Sequence, residues 1–173
     1  DKVITCLSPS KSFNIAGFQS SVVHTKNSEL LEKIRTQMHV DNSDACNVFA
    51  ATAVIAAYNH SEEWLEELKE VLYENRCTVD NFLKEELPIV KLVPGDATYL
   101  LWLDCSALNV HSKILGEFLR TNQGLFLSPG HEFGEIGKDF MRMNIACPNE
   151  LLMDGLRRLK AGVITLKNFN NGL

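Results

Sequence analysis

Short apolar runs that can form strands alternate along this chain with longer segments that have helical spacing. The β-branched runs KVITCL (Lys2–Leu7) and SSVVHT (Ser20–Thr25) are typical of strands, and the first predicts a buried one that ends at a turn. SELLEKIRTQM (Ser28–Met38) instead repeats leucine and isoleucine at three- and four-residue intervals after a serine cap, which predicts a helix. Because such pieces bury their apolar surfaces by packing helices on a sheet, the pattern predicts an α/β or α+β fold.

The same patterns predict the elements of the rest of the chain. Helical character persists from Ser43 to Arg76 with a break near Tyr58–Ser61, and a separate helical segment, Cys77–Leu87, stops at Pro88. The remaining predicted elements are strands within Ile89–Val93, Pro94–Ser106, Gly124–Gly130 and Phe140–Pro148, and helices over Val110–Gln123, supported at its end by Gly124, and Asn149–Leu166.

Composition limits the classes of function. A chain of 173 residues that is 45% hydrophobic can bury a core, and a net charge of −5 leaves no basic stripe for a nucleic acid. The longest apolar run, Ala45–Tyr58, contains an Asn and a Thr and is too short to span a bilayer comfortably, so it predicts a buried helix and no membrane partner.

The cysteines and histidines indicate neither a disulfide framework nor a metal site. Five cysteines stand far apart, with an odd total and no CxxC pair, and the five histidines are scattered without ligand spacing. Free thiols suit a reducing compartment, which predicts a cytoplasmic protein without a bound metal.

One lysine stands where a ligand is expected. SPSKSFNIAG (Ser8–Gly17) places Lys11 just beyond the predicted end of the first strand, where open α/β folds gather ligand groups. A turn lysine is often simply solvated. The alternative is a lysine that forms a Schiff base with a carbonyl, and the small hydroxyl residues Ser8 and Ser10 would suit a phosphorylated aldehyde.

The segment SPSKSFNIAGFQ resembles the pyridoxal-phosphate lysine segment of fold-type I enzymes of the class I/II aminotransferase family, above all the branch of cystathionine β-lyase-like C–S lyases. The likeness continues at GDATYLLWLD (Gly95–Asp104), at LFLSPGHEFGEIGKDFMRMNIACP (Leu125–Pro148) and in the helix that follows. It implies an α/β fold that comprises the end of the large PLP-dependent transferase domain and the C-terminal α+β small domain of the aspartate-aminotransferase-like fold.

The resemblance also implies roles for residues near the lysine. Lys11 matches the lysine that binds the cofactor as a Schiff base and then shuttles the substrate α-proton. Ser8 matches a position that contacts the cofactor phosphate, and Ser10 is a weaker candidate for the same contact. Many related aminotransferases carry a phosphate-binding arginine eight residues after the lysine, where this chain has Gln19. That departure favours the lyase branch.

Arg142 in FMRMNIACP matches the arginine that binds the substrate α-carboxylate. A guanidinium can form two parallel charge-assisted bonds with a carboxylate and so fix the orientation of an amino acid. The alternative is a surface salt bridge, although apolar Met141 and Met143 flank the arginine. Trp102 is expected to serve packing, and His131 is expected to be a solvated loop residue.

The resemblance further predicts domains and partners. Residues 1–40 correspond to the C-terminal remnant of the large cofactor-binding domain, residues 41–76 to linking helices, and residues 77–173 to the small α+β domain. In the family, the groups that stack on and pair with the cofactor ring precede the lysine by more residues than this sequence contains. A fragment is therefore expected, with the missing N-terminal half as a partner, an amino acid as substrate and a homodimer as assembly.

Two classes of function follow. The first is a portion of a pyridoxal 5'-phosphate-dependent enzyme of amino-acid metabolism, either an aminotransferase or a C–S β-lyase. The second is a truncated, catalytically inactive remnant that acts at most through protein contacts.

Overall fold

Six short strands and five helices make up the part of the chain that the structure, a computed structural model, describes, namely residues 2–171. The strands are β1 (Thr5–Leu7), β2 (Val22–His24), β3 (Lys91–Leu92), β4 (Leu100–Asp104), β5 (Ser128–Pro129) and β6 (Phe140–Asn144). The helices are α1 (Ser28–Val40), α2 (Ala50–His60), α3 (Glu62–Glu86), α4 (Ser112–Gln123) and α5 (Asn149–Asn171). The chain divides into two compact units, the first ending at Lys69 and the second beginning at Glu70.

The first unit contains a small antiparallel pair, β1 with β2, in which Cys6 lies opposite Val23. The turn that follows β1 carries the candidate lysine. Helix α1 is capped one residue earlier than predicted, since Asn27 Oδ1 accepts a 3.0 Å hydrogen bond from Leu30 N and Ser28 is the first helical residue. An amide oxygen serves this position as well as a hydroxyl, which is why the pattern located the helix but not its cap.

Two predictions of burial in the first unit are wrong. Strand β1 is exposed along its length, and within the described residues it pairs only with β2. Helix α2 buries only Ala50 and Ala57, while Ile55 and Tyr58 are each 59% exposed. An apolar run reports helix or strand propensity, but its burial depends on which elements pack against it, and local sequence does not contain that information.

In the second unit, β3, β4, β6 and β5 form an antiparallel sheet in that order. Side chains alternate between the two faces along each strand, so Leu101, Leu103 and Met141 are buried while Trp102 and Arg142 are half-buried on the opposite face. The buried face forms one core with the second half of α3 and with α4 and α5, which includes Val79, Leu83, Leu115, Leu119, Leu156, Leu159 and Val163.

Several element boundaries differ from the prediction. Helix α3 is continuous from Glu62 to Glu86, so the predicted break at Arg76 is wrong, whereas its end before Pro88 is confirmed. Helix α2 begins at Ala50 and not at Ser43, because Asn47 Oδ1 accepts a 2.9 Å hydrogen bond from Phe49 N and holds a turn there. The predicted glycine end of α4 is confirmed, since Gly124 has a left-handed φ of 61°.

A buried asparagine on α3 holds the segment that follows β6. Asn75 is 2% exposed, and its Nδ2 donates 2.9 Å hydrogen bonds to the carbonyls of both Ile145 and Cys147. These two bonds tie the chain to α3 at the point where it leaves the sheet.

Three further observations bear on the class of protein. No helix within residues 2–171 has the length and apolar character to cross a bilayer. The same residues contain no cluster of three His, Cys, Asp or Glu side chains suited to a metal ion. All five cysteines are free thiols.

Candidate active site

The candidate lysine lies on a tight turn directly after β1, as predicted. Phe13 N donates to Pro9 O at 3.0 Å and Ile15 N donates to Ser10 O at 3.1 Å, which fold the turn on itself. Lys11 is exposed, and within the described residues its amine has no ion pair and no hydrogen bond. The amine is therefore available to a ligand.

The two predicted serines converge beside this turn. Ser8 Oγ donates to Ser20 O at 2.9 Å, and the Ser8 and Ser10 hydroxyl oxygens lie 2.6 Å apart. Because the single proton of Ser8 goes to Ser20, Ser10 donates to Ser8. A phosphate oxygen could replace Ser8 as the acceptor of the Ser10 proton. An unpaired amine next to paired hydroxyls in a turn fits a phosphorylated aldehyde.

Gln19 closes the short 3-10 turn that follows, at Ala16–Phe18. Its backbone is left-handed, with φ 50°, and its N–H donates to Ala16 O at 3.0 Å. The position that is cationic in many related aminotransferases is thus a neutral amide here, and it supplies no charge to a phosphate.

Arg142 belongs to the second unit and lies near the middle of β6. Strand pairing places it directly between Trp102 of β4 and Ser128 of β5. Its Nη2 donates a 3.2 Å hydrogen bond to Ser128 Oγ. The guanidinium therefore lies on a rigid sheet, on the half-buried face opposite the core.

One aromatic ring covers this guanidinium, and two more pack next to that ring. Its central carbon lies 4.4 Å from the centroid of the Phe133 ring, and Trp102 meets Phe133 edge-on at 5.6 Å and 74°. Phe140 stacks on Trp102 at 5.6 Å. No carboxylate of the described residues forms an ion pair with Arg142. A half-buried cation without an internal counter-ion can bind the carboxylate of a ligand.

Contacts with the start of α4 hold the segment between β5 and β6. Ser112, which is 1% exposed, accepts a 3.1 Å hydrogen bond from His131 N and lies 3.2 Å from His131 Nδ1. The prediction that His131 is solvated is therefore wrong, because this ring is half-buried and bonded to the start of α4. A Cβ on Gly137 would lie 2.1 Å from Gly130 O, so both ends of the segment touch through backbone alone.

The buried thiol in the second unit is not part of this arrangement. Burial, with a smaller contribution from the neighbouring Asp104 carboxylate, raises the pKa of Cys105 to about 12. Hydrogen bonds from Ser106 lower the pKa of Asp104. Cys105 is thus protonated and unreactive at neutral pH.

Sequence reasoning named Ser8, Ser10 and Lys11 at the turn but only Arg142 on the sheet. The contact between the Ser8 and Ser10 hydroxyls was not predicted. Ser112, Ser128 and Phe133 were not identified as partners of Arg142 or of its supporting segment. The phrase SPGHEFG contains two of these three, but only strand register shows that Ser128 faces Arg142.

Comparison with known proteins gives one consistent family. The family described as Aminotransferase class I and II matches residues 1–159. Cystathionine beta-lyase PatB of Bacillus subtilis (strain 168) is 38% identical over 163 residues, which are 94% of this chain and 42% of the relative.

Solved structures show the same fold. Cystalysin from Treponema denticola, which contains a pyridoxal 5'-phosphate cofactor, superposes with a TM-score of 0.91 at 30% identity, over 96% of this chain and 42% of that one. The PLP-bound C–S lyase from Staphylococcus hominis gives a TM-score of 0.82 at 32% identity, over 95% and 43%. The chain therefore spans less than half of the length of the relatives that it matches.

Proposed function

Because this chain belongs to the aminotransferase class I and II family, we propose that it is part of a pyridoxal-phosphate-dependent enzyme that acts on amino acids. Carbon–sulfur β-elimination is the reaction that its relatives and Gln19 favour. The observation that carries the proposal is the unpaired Lys11 amine beside the Ser8–Ser10 hydroxyl pair. Since the chain spans 42% of cystathionine beta-lyase PatB, the activity is proposed for the whole protein.

Residues of this chain would hold the cofactor at two of its groups. When bound, pyridoxal phosphate supplies an aldehyde that condenses with primary amines and a ring that withdraws electrons from the bonds of the substrate α-carbon. Lys11 Nζ would be the nucleophile for the aldehyde, and the Ser10 hydroxyl would donate to a phosphate oxygen. Ser8 would contact the phosphate once its hydroxyl proton turns away from Ser20 O. The neutral Gln19 leaves charge neutralisation of the phosphate to other residues.

Lys11 would have a second task as the acid–base group for the substrate α-carbon. Its Nζ, when not bonded to the cofactor, would accept the α-proton of the substrate and later return a proton. A lysine suits this role because its flexible four-carbon stem keeps the amine within reach at both stages.

Arg142 orients the substrate. Two parallel N–H···O bonds to the α-carboxylate fix the amino acid, and Ser128 and Phe133 keep the guanidinium in place for them. Fixing the carboxylate orients the bonds of the α-carbon, so Arg142 would contribute to rate as well as to affinity.

For a thioether substrate the overall reaction is RS–CH2–CH(NH3+)–COO− + H2O giving RSH, pyruvate and NH4+. The α-proton leaves to Lys11, the C–S bond breaks with its electron pair going to sulfur, and water replaces nitrogen. Transamination is the second candidate, because Lys11 and Arg142 serve both reactions in the same way.

The wider organisation is proposed on the same basis. Residues 1–40 belong to the large cofactor domain, residues 41–76 form the linking helices, and residues 77–173 form the small domain. We propose a homodimer in the cytoplasm, completed by the segment that corresponds to the N-terminal part of the relatives.

The test uses the complete protein loaded with pyridoxal phosphate and L-cystathionine as substrate. The lyase proposal expects pyruvate and free thiol in equal amounts with no added 2-oxo acid, and no product from Lys11→Arg, which keeps the charge and loses the nucleophile. A product that forms only after a 2-oxo acid is added would assign transamination instead. Borohydride reduction should label Lys11, and label on any other residue would refute the assignment.

Arg142→Ala provides a separate test of substrate binding. Two charge-assisted hydrogen bonds to a carboxylate contribute about 3 kcal/mol, so kcat/KM should fall about 100-fold while cofactor absorption persists. Unchanged kinetics would remove Arg142 from the site.

The inactive-remnant alternative makes the opposite prediction for the chain of 173 residues by itself. It expects no visible absorption after incubation with pyridoxal phosphate. Absorption that disappears in Lys11→Arg would exclude that alternative.

A further inference from the structure

One aromatic ring covers the guanidinium that is proposed to bind the substrate carboxylate. Phe133 places its ring 4.4 Å from the central carbon of Arg142, although 52% of its own surface is exposed. An aromatic face on one side of a guanidinium leaves the N–H groups at its edge free, and it removes water from the covered face. The ring thus selects the orientation in which the edge of Arg142 can receive a carboxylate.

One contact holds the ring itself, and two more hold the segment that carries it. Trp102 contacts it edge-on at 5.6 Å. The turn that carries it, Gly130–Phe133, is tied to α4 by the hydrogen bond from His131 N to the buried Ser112 hydroxyl. At the far end of the segment, the backbone contact between Gly130 and Gly137 leaves no room for a side chain. Phe133 is thus held by the fold even without a ligand.

We propose that Phe133 is a positioning residue for substrate carboxylates, acting through Arg142, and that Ser112 holds it in place. The inference rests on the proposed function and deepens it, because it assigns recognition of the carboxylate to a preorganised pair and not to Arg142 alone. A preorganised guanidinium loses less freedom when it binds, so the contribution is to affinity for carboxylates.

The probe is 2-aminoisobutyrate, which has an amine and a carboxylate but no α-proton to lose. Its binding to the PLP-loaded complete protein is followed by the change in visible absorption. Isopropylamine, the same molecule without the carboxylate, is the comparison ligand. Phe133→Leu keeps most of the apolar volume and removes the π face, whereas Phe133→Tyr keeps the face.

Phe133→Leu should weaken the binding of 2-aminoisobutyrate about fivefold and leave the binding of isopropylamine unchanged. Both affinities of Phe133→Tyr should stay within about twofold of those of the natural protein. The chain offers a matched control in Phe126, which is 68% exposed and lies 5.5 Å from the central carbon of Arg120. Phe126→Leu breaks a similar pair away from Arg142 and should change neither affinity.

Ser112→Ala tests how the ring is held. It should weaken the binding of 2-aminoisobutyrate when made in the natural protein. Made in the Phe133→Leu variant, it should cause almost no further loss of affinity, because both changes act through the same ring. Full additivity of the two changes would refute the role of Ser112. The two Phe133 variants decide the main inference by themselves, since a half-exposed position tolerates both side chains.

Failure of the inference and failure of the proposed function give different results. If Arg142→Ala weakens the binding of 2-aminoisobutyrate and Phe133→Leu does not, Arg142 acts alone and the inference is wrong. If Arg142→Ala also has no effect, the carboxylate site is wrong and the inference falls with it. Equal weakening of both ligands by Phe133→Leu would indicate a general disturbance and would also overturn it.

Discussion

Replacing the buried asparagine of α3 with leucine should lower the free energy of unfolding of the second unit. Asn75 Nδ2 makes two hydrogen bonds of 2.9 Å, to the carbonyls of Ile145 and Cys147. Asn75→Leu keeps the approximate volume and removes both donors. Ile145 is 1% exposed, so water cannot replace the lost donor to its carbonyl.

The size of the effect follows from these contacts. Each hydrogen bond contributes about 1 kcal/mol net. The Ile145 carbonyl keeps one partner in the variant, because Cys147 N also donates to it at 2.9 Å, and water can partly satisfy the part-buried carbonyl of Cys147. The loss of the two bonds therefore predicts a decrease of about 2 kcal/mol in the free energy of unfolding.

Urea unfolding followed by tryptophan fluorescence measures this loss, because Trp102 lies in the same unit. With a urea dependence of about 2 kcal/mol per molar, the midpoint should fall by about 1 M. Asn81→Leu is the matched control, since Asn81 is exposed on the same helix, and it should change stability by less than about 0.5 kcal/mol. If the two variants lost the same stability, the two hydrogen bonds of Asn75 would not be the cause.

Two further predictions concern packing and pH. Gly137→Ala would place a Cβ 2.1 Å from Gly130 O and should lower the free energy of unfolding by about 2 kcal/mol or more. In Gly155→Ala the Cβ would lie 3.7 Å from Leu125 Cδ1, so this change should stabilise α5 by about 0.5 kcal/mol. Equal thermal midpoints of the two variants would contradict this prediction. The Cys105 thiol has a pKa of about 12 in the folded protein against 9.0 for a free thiol. The unfolded chain therefore loses this proton first as pH rises, and folding stability falls between roughly pH 9 and 12. Between roughly pH 9 and 11, Cys105→Ala should lose about 2 kcal/mol less than the natural protein, and identical pH slopes of stability would refute the assignment.

The lysine turn could be predicted because its parts are close together in the chain. Ser8, Ser10 and Lys11 lie within one turn, and the run before them has the composition of a strand. The bond from Ser8 to Ser20 O depends on a more distant residue, but the turn itself brings the two hydroxyls within 2.6 Å of each other. Such short-range arrangements need no knowledge of which elements pack together.

The surroundings of Arg142 could not be predicted in this way. Trp102 and Ser128 become its neighbours only through the register of three strands. A shift of one residue in β4 would turn Trp102 to the opposite face of the sheet, where Leu101 and Leu103 are buried. The anchoring of His131 by Ser112 likewise depends on how α4 packs beneath the segment.

Local patterns in the sequence were enough to predict the mixed helix and strand composition, the ends of α3 and α4, the lysine turn and the family resemblance. Each of these depends on residues near one another in the chain, where propensity, capping and motif spacing act directly. Packing between distant segments sets which apolar runs are buried, makes α3 continuous, and brings a ring over Arg142. Those features depend on contacts between distant segments, and their stability comes from packing that no local pattern encodes.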